Sequence, residues 1–168
     1  LFGWGPGGAL DFGDVPGANT EWRPVGGGTL SPGNPVTLLW DNGKGLSFTR
    51  EIRVDDRFMF TVTDTVQNSG AQEARLYPYG IVARHGKPTD LDNFFVSHEG
   101  VVGRADGKLT ELGYDKVADL PSVEREGGRA EVVEATTDGW IGFTSKYWMT
   151  VLVPEQGRPF TSVTKYVP

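Results

Sequence analysis

Two arms of period-two alternation, Leu46–Val54 and Phe58–Val66, flank the short polar link Asp55-Asp56-Arg57. In the first arm Leu46, Phe48, Arg50, Ile52 and Val54 share one face, and Ser47, Thr49, Glu51 and Arg53 share the other. In the second arm Phe58, Phe60, Val62, Asp64 and Val66 share a face, opposite a face made mainly of Thr with Met59. Side chains alternate across a strand, so each arm has one apolar side to bury. Folding the arms about the link sets Val54 opposite Phe58 and Ile52 opposite Phe60, and the apolar sides then coincide. This hairpin predicts a core built on Phe48, Ile52, Phe60, Val62 and Val66. In the same register Arg50 and Asp64 are diagonal neighbours on the inward face. They read as a structural ion pair near the end of the core, with a partly buried site for a polar ligand as the alternative. Upstream, Val36–Trp40 reads as a further strand, and Asp41-Asn42-Gly43 has the backbone-permissive residues that return it into Leu46.

The rest of the chain is punctuated by Gly and Pro, which suits many short strands and turns. Leu1–Pro35 reads as loop, with an edge strand near Thr20–Arg23 and with Trp4 and Trp22 pinning the loop to the core. Gln67-Asn68-Ser69-Gly70 reads as a turn into a strand at Ala74–Arg84, where Pro78 requires an edge or a bulge. Gly86–Asn93 reads as polar loop and Phe94–Val102 as a strand broken at Gly100. Asp106-Gly107 is a hairpin turn signal, Leu112–Leu120 allows one short helical turn, and Glu124–Arg129 is a charged loop. Strands follow at Glu131–Thr136, Trp140–Thr144, Tyr147–Val153 and Phe160–Tyr166. In Tyr147–Val153 both faces carry large apolar residues and are expected to be partly covered. Roughly ten strands without crossover helices imply an all-β, antiparallel sandwich, expected to form a single domain over residues 1–168.

The net charge of −6 leaves no basic stripe for phosphates and argues against nucleic acid and against an anionic lipid surface. Without cysteine there is neither disulfide nor thiolate chemistry, and 2 His without an H-E-x-x-H spacing make a zinc site unexpected. No cofactor motif is present: there is no Walker loop, dinucleotide fingerprint or G-x-S-x-G elbow. No run reaches transmembrane length and no signal peptide is expected, so any membrane anchor would lie outside this segment. His98-Glu99 is the pairing closest to a catalytic one. Neighbours on a strand point to opposite faces, so these two read as satisfying turn backbone before Gly100. His85 reads as exposed.

Several stretches in colinear order carry a family resemblance. They are Asn19-Thr20-Glu21-Trp22; Pro35-Val36-Thr37-Leu38 with Trp40-Asp41-Asn42-Gly43, Gly45-Leu46, Phe48 and Arg50; and Asp55-Asp56 with Phe58-Met59-Phe60-Thr61-Val62. Leu76-Tyr77-Pro78-Tyr79-Gly80, His98-Glu99-Gly100, Gly139-Trp140-Ile141-Gly142-Phe143-Thr144 and Lys146-Tyr147-Trp148 continue it. Together they resemble the first periplasmic domain of the bacterial YidC membrane protein insertases. Ser145 departs from the Asp of the T-D-K-Y-W version, and a Ser can satisfy a turn as an Asp does. The resemblance implies a β-supersandwich similar to the galactose-mutarotase-like sugar enzymes. It also implies a parent protein anchored in the bacterial inner membrane, with this domain in the periplasm and the insertase helices elsewhere.

Two function classes follow. One is a non-catalytic, monomeric module that contacts Sec translocon components or nascent membrane proteins. The other, resting on the fold analogy, is a carbohydrate-binding or aldose-epimerase-like domain, which would need His85 or His98 in a cleft beside a carboxylate. For the first class the charged segment Asp90–Ala135 is the candidate contact surface, lying between the aromatic-rich Phe94–Val96 and Trp140–Phe143. Its expected contacts are Tyr114 and Leu120 as apolar anchors, with Asp115 and Glu126 on a charged rim.

Overall fold

The computed structural model describes residues 1–86 and 98–167, and these are nearly all β. They fall into two compact units, Leu1–Gly80 and Ile81–Pro168. All strand pairings among the described residues are antiparallel, as a chain without crossover helices requires.

The first unit contains β1 (Phe2–Gly7), β2 (Arg23–Val25), β3 (Val36–Asp41), β4 (Leu46–Val54), β5 (Phe60–Asn68) and β6 (Arg75–Gly80). One sheet has the order β2-β3-β4-β5, and β1 pairs with β6 in a two-stranded sheet. The turn between β3 and β4 forms as the sequence indicates. Gly43 takes a φ of 69°, and the Asn42 side-chain oxygen accepts the amides of Lys44 (2.8 Å) and Leu46 (3.0 Å).

The β4–β5 hairpin forms with a different register. Val54 pairs with Phe60, Ile52 with Val62 and Arg50 with Asp64. The link is longer than its polar residues suggest. The Asp55 carboxylate accepts the amides of both Arg57 and Met59 at 2.8 Å, and the Asp55 amide donates to the Met59 carbonyl at 3.1 Å. Phe58, at φ 62°, is consumed in the turn rather than in the strand. Because the slip is even, the expected residues still share a face.

Depth along that face is the second difference. Phe48 is 1% exposed and forms the core with Leu46 and Val15, joined by Trp4, Trp22, Trp40, Val66 and Leu76. Ile52, Val62 and Val66 are half-buried, but Phe60 is 58% exposed and is not a core residue. The covering elements pack over the Leu46–Arg50 end of the hairpin, and Phe60 stands at the other end.

Trp4 and Trp22 do pin the N-terminal stretch, yet that stretch is not all loop. Phe2–Gly7 is a strand whose glycines face large side chains on β6: Gly3 pairs with Tyr79, and a Cβ there would meet the Tyr79 hydroxyl oxygen at 2.4 Å. Pro78 is accommodated because each strand of a two-stranded sheet is an edge. The short edge strand β2 begins at Arg23, slightly beyond the expected Thr20–Arg23.

The second unit contains β7 (Gly100–Ala105), β8 (Lys108–Gly113), α1 (Tyr114–Val117), β9 (Ser122–Val123), β10 (Gly128–Ala135), β11 (Gly139–Ser145), β12 (Trp148–Leu152) and β13 (Phe160–Lys165). The sheets have the orders β12-β11-β7-β8 and β13-β10-β9. Asp106 (φ 47°) and Gly107 (φ 87°) make the left-handed two-residue turn expected between β7 and β8. The short helix also forms where expected. Gly100 opens β7 instead of breaking a strand: a Cβ there would lie 2.2 Å from the Leu112 carbonyl oxygen. The expected Gly86–Asn93 loop beyond Gly86, and Phe94–Ser97, lie outside the described residues.

The partial cover expected on both faces of Tyr147–Val153 is found at the Val151–Leu152 end of the strand and not at its start. Tyr147 and Trp148 are each 79% exposed and Met149 is exposed, while Val151 and Leu152 are half-buried. β12 is the outer strand of its sheet, and β10 of the facing sheet lies against β7 instead.

Truncating Phe48 to Ala should cost about 3–5 kcal/mol in a urea titration, whereas Phe60→Ala should change stability by less than about 1 kcal/mol. Equal losses at the two positions would contradict this placement of the core.

Candidate functional site

The most organised polar group in the first unit surrounds Arg50, which is 7% exposed. Its position on β4 sets it directly opposite Asp64 on β5, rather than diagonal to it. Arg50 Nε donates to Asp64 Oδ1 and Nη2 to Oδ2, both at 2.7 Å, and Nη1 donates to the Phe2 carbonyl at 3.2 Å. Trp4 Nε1 donates to Asp64 Oδ2 at 3.0 Å. The guanidinium lies 4.6 Å from the Trp22 ring centroid and 5.9 Å from that of Phe2. Both carboxylate oxygens are therefore engaged, and the Arg is enclosed by aromatic faces. This is the structural ion pair, and the arrangement offers no open position for a polar ligand.

His98 Nε2 donates to the Val101 carbonyl at 2.8 Å, and the His98 carbonyl accepts from Thr144 Oγ1 at 2.6 Å, so this residue ties the start of β7 as expected. Beside it, Glu99 Oε1 is buried without a hydrogen-bond partner among the described residues. His85 is exposed. Among the described residues, one cleft of about 250 Å³ lies in the first unit, between the Ser31–Asn34 turn and the β4–β5 hairpin tip, and a cavity of about 20 Å³ lies among β7, β8, β10, β11 and β13. Neither is lined by His85 or His98. No metal-sized group of His, Asp or Glu occurs among the described residues.

Three aspartates are held below the usual carboxylate range by structural hydrogen bonds. Asp106 is lowered furthest, first by the Thr136 amide and then by the Thr137 amide and the Thr136 hydroxyl. Asp14 is lowered by the Asp11 amide and then by the Lys44 ammonium at 2.7 Å. Asp41 is lowered by the Ser47 hydroxyl and the Gly43 amide. Each ties two chain segments together rather than preparing an acid or base.

Within the Asp90–Ala135 segment, Tyr114 and Asp115 lie on α1. Tyr114 is half-buried, and its hydroxyl donates to the Thr144 carbonyl at 2.6 Å. The Arg84 guanidinium lies 5.5 Å from its ring centroid, and burial raises its pKa above the ordinary phenol value. Asp115 is exposed. Glu126 is half-buried in a 3-10 turn, where its side chain meets Arg125 at 3.3 Å and its carbonyl accepts the Lys165 ammonium. Leu120 is 8% exposed and packs inward. The structure thus puts Asp115 at the surface, Tyr114 and Glu126 partly so, and Leu120 beneath it. The largest apolar exposure on the central hairpin lies elsewhere, on Phe58, Met59 and Phe60. An inward reading of Phe58 and Phe60 hid it; the signal available was Asp55, whose side chain can cap a longer turn.

A profile of the YidC periplasmic domain matches residues 2–167. The chain belongs to this family. The membrane protein insertase YidC of Cereibacter sphaeroides is 69% identical over 168 residues, which is 100% of this chain and 27% of that protein. The insertases YidC of Jannaschia sp. and Dinoroseobacter shibae are 57% and 58% identical, over 100% and 99% of this chain respectively, and again over 27% of their own length. The chain therefore spans about a quarter of the curated relatives it matches. No solved structure matches it. Among its described residues no helix is long and apolar enough to cross a membrane.

In this YidC domain the Arg50–Asp64 pair should behave as a buried pair. Asp64→Asn, which leaves Arg50 enclosed without its counter-charge, should cost about 3–5 kcal/mol, and Arg50→Met with Asp64→Leu should recover much of that loss. Urea denaturation of Arg50→Met, Asp64→Leu and the double variant, beside Asp64→Asn, checks this; additive losses for the first two would mean the pair is not coupled.

The aspartates set an acid limit. A folded pKa below the unfolded value, near 3.9, stabilises the fold above that value and ceases to do so as pH falls through the folded one. Thermal melts should therefore fall below about pH 4, and Asp106→Asn should flatten that dependence.

Proposed function

We propose that this chain is the non-catalytic periplasmic module of a YidC-type insertase anchored in the bacterial inner membrane. Its two units work together as one domain over residues 1–168. It assists insertion by touching nascent membrane proteins or Sec translocon components, and it needs no cofactor. The observation that carries this reading is the match to the YidC periplasmic domain over residues 2–167, with relatives named membrane protein insertase along the whole chain. The polar networks are consistent with it, since they fasten strands and turns to one another.

The contact surface proposed is the α1 to β10 region. Asp115 and Glu126 form its charged rim, Tyr114 is its partly accessible aromatic, and Leu120 supports it from below. Rim charge mainly speeds encounter, so added salt should weaken the contact. Photo-crosslinkers at Asp115 and Glu126 in the full-length protein in membranes should capture a client or a Sec component, and one at Thr49 on β4 should not. Equal or stronger capture from Thr49, with none from α1, would count against this surface. Polarimetry with common aldoses should show no acceleration; a rate increase lost in His98→Ala would favour the sugar-epimerising alternative.

A further inference from the structure

The β4–β5 hairpin ends in an apolar tip that the described residues leave largely exposed. Phe58 is 85% exposed, Met59 56% and Phe60 58%. Phe58 also has a φ of 62°, a left-handed conformation that bulky side chains adopt at a cost and that Asn or Gly adopts readily. At one position the chain thus combines an unfavourable backbone for its residue type with an aromatic ring in water. Burial compensates for neither. Departures of this kind, in an otherwise consistent fold, concentrate where a protein binds something.

The tip is held in shape before any partner arrives. The Asp55 carboxylate accepts the Arg57 and Met59 amides, the Asp55 amide donates to the Met59 carbonyl at 3.1 Å, and the Phe58 amide donates to the Asp55 carbonyl at 3.3 Å. A pre-shaped loop loses less conformational entropy on binding. Met59 also lines the cleft of about 250 Å³ beside the tip, with Pro35 and Val54 and the polar Asn34, Arg53, Asp55 and Thr61. That volume is smaller than a drug-sized ligand site and suits a single large side chain.

We infer that the Phe58-Met59-Phe60 tip and its adjoining cleft dock an apolar segment of a membrane-protein client. The inference rests on the insertase reading above and names the class of partner it would hold. Charge decides between the apolar surfaces that could cover the tip. Asp55 and Asp56 flank it against Arg57, on a chain of net charge −6, so an anionic lipid surface is repelled. An apolar polypeptide segment brings no such penalty. A second copy docked tip to tip would bury only a few side chains, well short of the roughly 1,000 Å² that a stable interface needs. The flexible, polarisable Met59 beside two rings suits clients of differing sequence.

The test uses the full-length insertase in membranes during synthesis of a membrane-protein client, with photo-crosslinkers at Phe58, Met59, Asp115 and Thr49. Phe58 and Met59 should crosslink to the client's apolar segment, and Thr49 should not. Capture of lipid alone from Phe58 overturns the proposal in favour of a membrane contact. Client capture from Asp115 without any from the tip overturns it while leaving the insertase reading standing; no capture from any position removes both. Phe58→Asn should leave the melting temperature unchanged or higher, because it relieves the left-handed strain, and should abolish most of the Met59 crosslink. A lower melting temperature would show that the ring supports the fold and would also overturn the proposal.

Discussion

Arg50 determines how the first unit is assembled. A guanidinium at 7% exposure must have its charge met and its donors occupied, since an unpaired buried charge would cost several kcal/mol. Asp64 meets the charge from the adjacent strand, Trp4 fixes the second carboxylate oxygen, and the Phe2 carbonyl takes a further donor. Those partners come from β1 and β5, and Trp22, just ahead of β2, lies on the guanidinium. One side chain on β4 thereby specifies the β4–β5 register and the docking of the N-terminal strand. The adjoining apolar core is continuous with it, because Trp4 and Trp40 both pack on Phe48, with ring centroids 6.0 and 5.6 Å away.

Much of the fold was legible because period-two alternation states which side of a strand is buried. It located β3, β4, β5, β10, β11, β12 and β13 and paired Arg50 with Asp64. It does not state how far along that side the core extends, and so Phe60 was placed inside when it lies beyond the covering elements. The register was missed for a different reason. Asp55 closes its turn on Met59 with its side chain, and a left-handed Phe58 cannot be anticipated from its residue type. β1 was hidden because its alternate positions, Gly3, Gly5 and Gly7, are glycines under Tyr77 and Tyr79, a packing that reads locally as loop. Of the candidate contacts, Asp115 could be placed at the surface from its position on a short helix. The burial of Leu120 depends on the packing of the second unit and leaves no local trace in the sequence.

His98, half of the pairing that looked most like chemistry, serves the backbone instead, as does the turn residue Asp106. His98 holds the Val101 carbonyl, and Asp106 gathers the amides and hydroxyls of Thr136 and Thr137. Both sit where a sheet strand begins or a turn closes, and both replace the hydrogen bonds that an irregular backbone lacks. A chain rich in Gly and Pro turns needs many such fasteners, and histidine and aspartate are used up in supplying them.

The pairing of β1 with β6 has a temporal consequence. Phe2 lies opposite Gly80, so the first strand of the unit finds its partner only after the last one has been made. Until then β1 cannot deliver the Phe2 carbonyl or Trp4 to the Arg50 cluster, and the β3–β4–β5 meander must persist with that cluster incomplete. Closing so long a loop is entropically costly and comes late. The interval between the emergence of Arg50 and that of Gly80 is therefore when the unit is most open to proteolysis and to misplaced strand pairing.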